Sequence, residues 1–142
     1  MPIQWRKQMS VGNLIIDLDH RYLLCLINSV EYALRHPEEG ENLHSALKHL
    51  AEYAREHFDR EEKIQYHIKY QYFMDHKMKH QKLLDRLDVI IKEVIDERDL
   101  NKLKEKSPVI AVLLRDWLLD HVLKEDMKMK RDLESFPANL IG

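Results

Sequence analysis

Nine histidines stand in 142 residues, and five of them fall on the apolar faces of helical patterns. His20 precedes Leu23, Leu24 and Ile27. His57 follows Leu50 and Ala54, with Glu61 one turn on. His76 and His80 sit four apart, so they project from one helical face, which continues as Leu83, Leu84 and Leu87. His121 extends the face set by Leu114, Trp117 and Leu118. A single inward imidazole is an ordinary core residue with a hydrogen-bond partner, but five in one core all need partners. A metal centre satisfies them together.

Five imidazoles and two carboxylates exceed one zinc site, which takes four ligands. The set suits two borderline ions sharing one core. Ligand type favours iron and leaves manganese, zinc and cobalt open. No Glu-x-x-His spans the core positions, unlike the carboxylate-rich di-iron bundles. A histidine-rich set leaves the ion pair less negative, which favours binding a small oxidant over using it. Glu61 is preferred to Glu62 because only Glu61 shares the face of His57. Near His121 the choice is open: on an ideal helix Glu125 lies about 40° from it and Asp126 about 140°. His36, His44, His49 and His67 lie in a loop, on outward faces or at a helix end, and are expected to be solvated.

The elements that must position these groups are helices. Only three Gly and four Pro occur, and no run of alternating β-branched residues suggests a sheet. The expected fold is all-α: an up-down-up-down antiparallel four-helix bundle in one domain, 1–142, with an arm at 1–16. Helices are expected at about 17–36, 41–66, 70–97 and 108–134. Ser107 would cap the last helix, with Pro108 in its first position.

A formal charge of −2, with both signs mixed along the chain, argues against nucleic acid or an anionic membrane as partner. No stretch approaches 18 consecutive apolar residues and the first ten carry no apolar leader. Cys25 is the lone cysteine and is expected to be a small core residue. A soluble, cytoplasmic protein is expected.

Four stretches, SVGNLIIDLDH, HFDREE, HKMKH and WLLDHVLKEDMKM, resemble the ligand series of the hemerythrin family, particularly the bacterial type. The resemblance covers almost the whole chain. It implies a metal set of His20, His57, Glu61, His76, His80, His121 and Asp126. One iron would be held by His76, His80 and His121 and be saturated. The other would be held by His20 and His57 and keep a position open for dioxygen. Glu61 and Asp126 would bridge two iron ions that also share an oxo or hydroxo group. Choosing Asp126 over Glu125 requires a π-bulge near His121.

Leu23, Phe58, Trp117, Leu118 and Val122 are the expected lining of a small, dry oxygen pocket. Several members carry a tyrosine three residues after the last carboxylate; here that position is Met129. The implied function is reversible dioxygen binding as carrier, store or supply, without enzymatic turnover. The alternatives are an oxygen or redox sensor subunit working with a separate protein, a di-iron peroxidase, oxidase or nitric-oxide-handling protein, and an iron store or iron sensor.

Overall fold

The computed structural model describes residues 2–142. The arm runs along the first helix: Ile3 N–H donates to Asn28 Oδ1 at 2.9 Å, and Asn28 Nδ2 returns a bond to the Ile3 carbonyl at 2.8 Å. Gly12 takes the left-handed backbone (φ +87°) that turns the arm into the helix. Asn13 then caps it, accepting from Ile16 N–H at 3.0 Å. Helix α1 (Leu14–Arg35) therefore opens before Asp17, whose carboxylate instead holds Ser10 and the Val11 N–H. Helices α2 (Gly40–His67) and α3 (Phe73–Asp96) follow the expected periods.

Helix α4 (Leu100–Asp116) begins well before Pro108. Asp99 is the cap, accepting from Asn101 N–H at 2.9 Å, and the added length, about two turns, buries Leu103. Pro108 sits inside the helix, and Ser107 is a buried residue, not a cap. The rod continues as a π-helix (Trp117–Leu123), then α, 3-10 and α turns to Leu133. The four rods form an antiparallel bundle, with no strand among the described residues. No helix among them is long and apolar enough to cross a membrane.

Two apolar clusters fill the bundle. The larger includes Leu23, Ile27, Leu47, Leu50, Phe58, Leu87, Leu114 and Trp117. The smaller, Val11, Ile16, Ile64, Ile68, Tyr70, Met129 and Leu133, closes one end. Each fully buried Leu or Ile contributes about 1.5–3 kcal/mol of transfer free energy. Along the chain, Asp19 and His20 on α1, Glu61 on α2 and Asp126 on the fourth rod fall between these clusters, whereas Glu31 and Ser107 lie within the larger one. Cys25, expected in the core, is exposed, because Leu24 and Leu26 on either side take the inward positions.

Candidate metal centre

Six of the seven expected ligands converge between the two apolar clusters. His20 from α1, His57 and Glu61 from α2, and Asp126 from the fourth rod make one set of four. Glu61, His76, His80 and Asp126 make another, with the ligand atoms of each set within 4.8 Å of one another. Both carboxylates belong to both sets. Glu61 Oε1 lies 2.9 Å from His76 Nε2 and 3.2 Å from His80 Nε2, and its Oε2 lies 3.1 Å from His57 Nε2. Asp126 Oδ2 lies 2.7 Å from His20 Nε2 and its Oδ1 2.8 Å from His76 Nε2. None of the six is more than 3 % exposed.

The donor set fits metal. His57 Nε2, His80 Nε2 and Glu61 Oε2 are buried without a hydrogen-bond partner on the cluster side of their residues. The 3.1 Å approach of His57 Nε2 to Glu61 Oε2 is a charge contact without hydrogen-bonding geometry. Native interiors rarely leave such atoms orphaned. Imidazole nitrogens and carboxylate oxygens aimed at common points are what a pair of divalent ions requires.

His121 does not join them. Its ring is half-buried and its Nε2 lies 3.2 Å from Arg86 Nη1. The π-helical stretch explains both this and the carboxylate choice. Its extra residue rotates the following turn, so Asp126 faces the cluster while Glu125 pairs outward with Lys79 at 3.1 Å and with Lys128. The widening begins before His121, so the ring is displaced from the face that Leu114, Trp117 and Leu118 define. His36, His44, His49 and His67 stand outside the cluster, and the last three are exposed.

All five expected lining residues, Leu23, Phe58, Trp117, Leu118 and Val122, are buried. Phe58 stacks on His80, centroids 4.1 Å apart, and Trp117 is fixed by its Nε1–H bond to the Leu83 carbonyl at 2.9 Å.

Residues that sequence reasoning passed over hold the ligands from outside. Asp19 Oδ2 lies 3.0 Å from His57 Nδ1, while Arg60 grips both Asp19 oxygens and the Tyr53 hydroxyl donates to Oδ1 at 2.5 Å. Burial alone would raise the Asp19 pKa, but the bonds from His57, Arg60 and Tyr53 outweigh it and hold the carboxyl well below the usual range. Glu62, set aside as a ligand, lies with Oε2 2.9 Å from His80 Nδ1. Met129 is fully buried and its sulfur accepts from Gln65 Nε2 at 3.0 Å. Nothing in the sequence links Asp19 to Arg60 or Glu62 to His80, because the pairs join different helices.

Without metal, the cluster is a buried ion-pair network. Burial opposes charge on His76, but the bonds to Asp126 and Glu61 prevail and raise its pKa from 6.5 to about 10. The same balance raises His20, His57 and His80, while for Glu61 burial pushes the carboxyl up but the four imidazoles facing it outweigh that and hold it well below its ordinary 4.5. A histidine raised in this way stabilises the fold fully below its unfolded pKa of 6.5, and the contribution is lost as pH climbs through about 10. The chelated protein should therefore lose about 5 °C or more of melting temperature between pH 6.5 and 10. Metal-loaded protein should change much less, since bound imidazoles are already deprotonated. Parallel melting curves for both forms across this range test the point; equal slopes would contradict it.

The hemerythrin HHE cation binding domain family model matches residues 11–133. A hemerythrin-like protein of Naegleria gruberi is 26% identical over 129 residues, covering 91% of this chain and 92% of its own. The bacteriohemerythrin of Clostridium acetobutylicum is 25% identical over 126 residues, covering 86% of this chain and 94% of its own. The matched region contains all six converging ligands, including His57 with Glu61 on α2 and His76 with His80 on α3. By fold, by buried donor set and by this match, the chain belongs to the hemerythrin family.

Proposed function

We propose that this chain binds dioxygen reversibly at a non-haem di-iron centre, as a carrier, store or local supply, and is not an enzyme. The observation that carries the reading is a buried, histidine-rich double site with only two shared carboxylates. His20 and His57 would hold one iron, His76 and His80 the other, and Glu61 and Asp126 both. A bound ferrous pair supplies the electrons for reversible dioxygen binding. The protein's part is to hold neutral imidazoles in place and to exclude water, through Leu23, Phe58, Trp117, Leu118 and Val122. Turnover chemistry would call for an acid or base facing the cluster. Asp19 and Glu62, the titratable groups that bond the ligand rings from outside, contact Nδ1 atoms on the far side. The lone Cys25 suits a reducing cytoplasm.

Anaerobic ferrous loading, followed by metal counting and visible spectra through repeated oxygen addition and removal, tests this. Two irons per chain and an absorption band that comes and goes with oxygen are expected. A band that forms once and never reverses would replace this reading with a sensor or oxidase. Fewer than two irons would remove the di-iron reading itself.

We also assign His121 to the His76–His80 ion, as the resemblance implies. Leaving Arg86 gives up one exposed hydrogen bond, worth about 1 kcal/mol net. His121→Ala should weaken one ion at least tenfold under chelator competition and spare the other. Undiminished retention of both would strike His121 from the ligand set.

A further inference from the structure

The two halves of the centre share their carboxylates but differ in what stands behind one imidazole of each, His57 and His80, while His20 Nδ1 is buried without a partner. Behind His57 is Asp19, only 5% exposed, with both oxygens fully engaged. Asp19 is also the chain neighbour of His20 on α1. One side chain thus ties together the two helices that supply the first half. Behind His80 is Glu62, 19% exposed, beside a surface groove lined by Met74, Met78 and Leu84, with Lys77 Nζ 4.0 Å from its other oxygen.

We infer that, from the state the structure shows with His121 held at Arg86 outside the cluster, Asp19 makes the His20–His57 half the high-affinity half, so that the two metal ions load in order, this half first. Asp19 is a positioning residue that acts through His57. Accepting from Nδ1–H fixes the tautomer that leaves the Nε2 lone pair toward the cluster, and an anionic acceptor raises the donor strength of the ring. The Tyr53 and Arg60 bonds hold Asp19 itself, so the geometry exists before metal arrives and little ordering remains to be done on binding. Glu62 offers His80 the same kind of bond from a more exposed carboxylate with a single hydrogen-bond contact, which orders its ring less. The inference rests on the two-ion reading.

The test is anaerobic titration of metal-free protein with cobalt(II) under a competing chelator, read by visible absorption. The wild type should bind two ions in separate steps, the first at least tenfold tighter. His80→Ala should keep the tight step and His57→Ala should lose it. Asp19→Asn should weaken the tight step by about 10- to 100-fold while moving the other less than about threefold. Arg60→Gln should weaken the same step a few-fold. The double variant Asp19→Asn/Arg60→Gln removes the unpaired guanidinium; it should recover melting temperature but not the tight step. Recovery of affinity along with stability would make Asp19 merely structural and overturn the proposal. Two equal steps in the wild type, or a tight step surviving His57→Ala, would also overturn it. Binding of a single ion would instead remove the two-ion reading on which it rests.

Discussion

Replacing Glu61 with alanine is expected to remove both metal ions, the largest effect of any single substitution in this chain. Glu61 is wholly buried and faces all four clustered imidazoles, from 2.9 Å at His76 to 3.8 Å at His20. Each of the two clustered sets of four donors in the structure would fall to three, and the four rings would face one another with only Asp126 between them. The isosteric Glu61→Gln keeps the volume and removes the charge, so it separates charge from packing. Both variants should bind metal at least 100-fold more weakly in each step by chelator competition. Glu125→Ala is the matched control: Glu125 pairs with Lys79 and Lys128, and its loss should leave the metal count unchanged. Two ions retained by Glu61→Ala, or lost from Glu125→Ala, would mean that the bridging residues are wrongly assigned.

Phe58→Ala should be the most damaging change among residues that donate nothing to metal. Phe58 is 2% exposed, stacks on His80 and packs against Trp117, whose centroid is 6.2 Å away. Deleting a buried phenyl costs about 3–5 kcal/mol, through lost transfer free energy and the cavity left behind. For a chain of this size that is roughly 10 °C in melting temperature. The cavity would open beside His80 and the tilted ring of His57, at a centroid distance of 5.5 Å from Phe58, so water would gain room at the centre. Under the oxygen-binding reading, the oxygenated form should also become shorter-lived. A stability loss with an unchanged lifetime would confine Phe58 to core packing.

What the sequence determined by itself is what repeats along a single helix. Residues four apart share a face whatever surrounds them, so His57 with Glu61 and His76 with His80 were legible as pairs. Three of the four rods were legible from their apolar periods. Local signals that compete were not decided there: Ser107-Pro108 is a sound helix start in isolation, yet burial of Leu103 and the Asp99 cap place the start earlier.

Only the tertiary structure decided what happens between helices. Asp19 is about 100° round α1 from His20, and nothing in its neighbours says that this direction meets His57, Tyr53 and Arg60 on α2. Glu62 reads as the outward neighbour of Glu61 until α3 brings His80 to it. The π-helical stretch, which the family resemblance implied once Asp126 was chosen, widens the fourth rod by about one residue per turn. That one residue turns Asp126 inward and His121 toward Arg86, a choice that no periodicity along the chain contains.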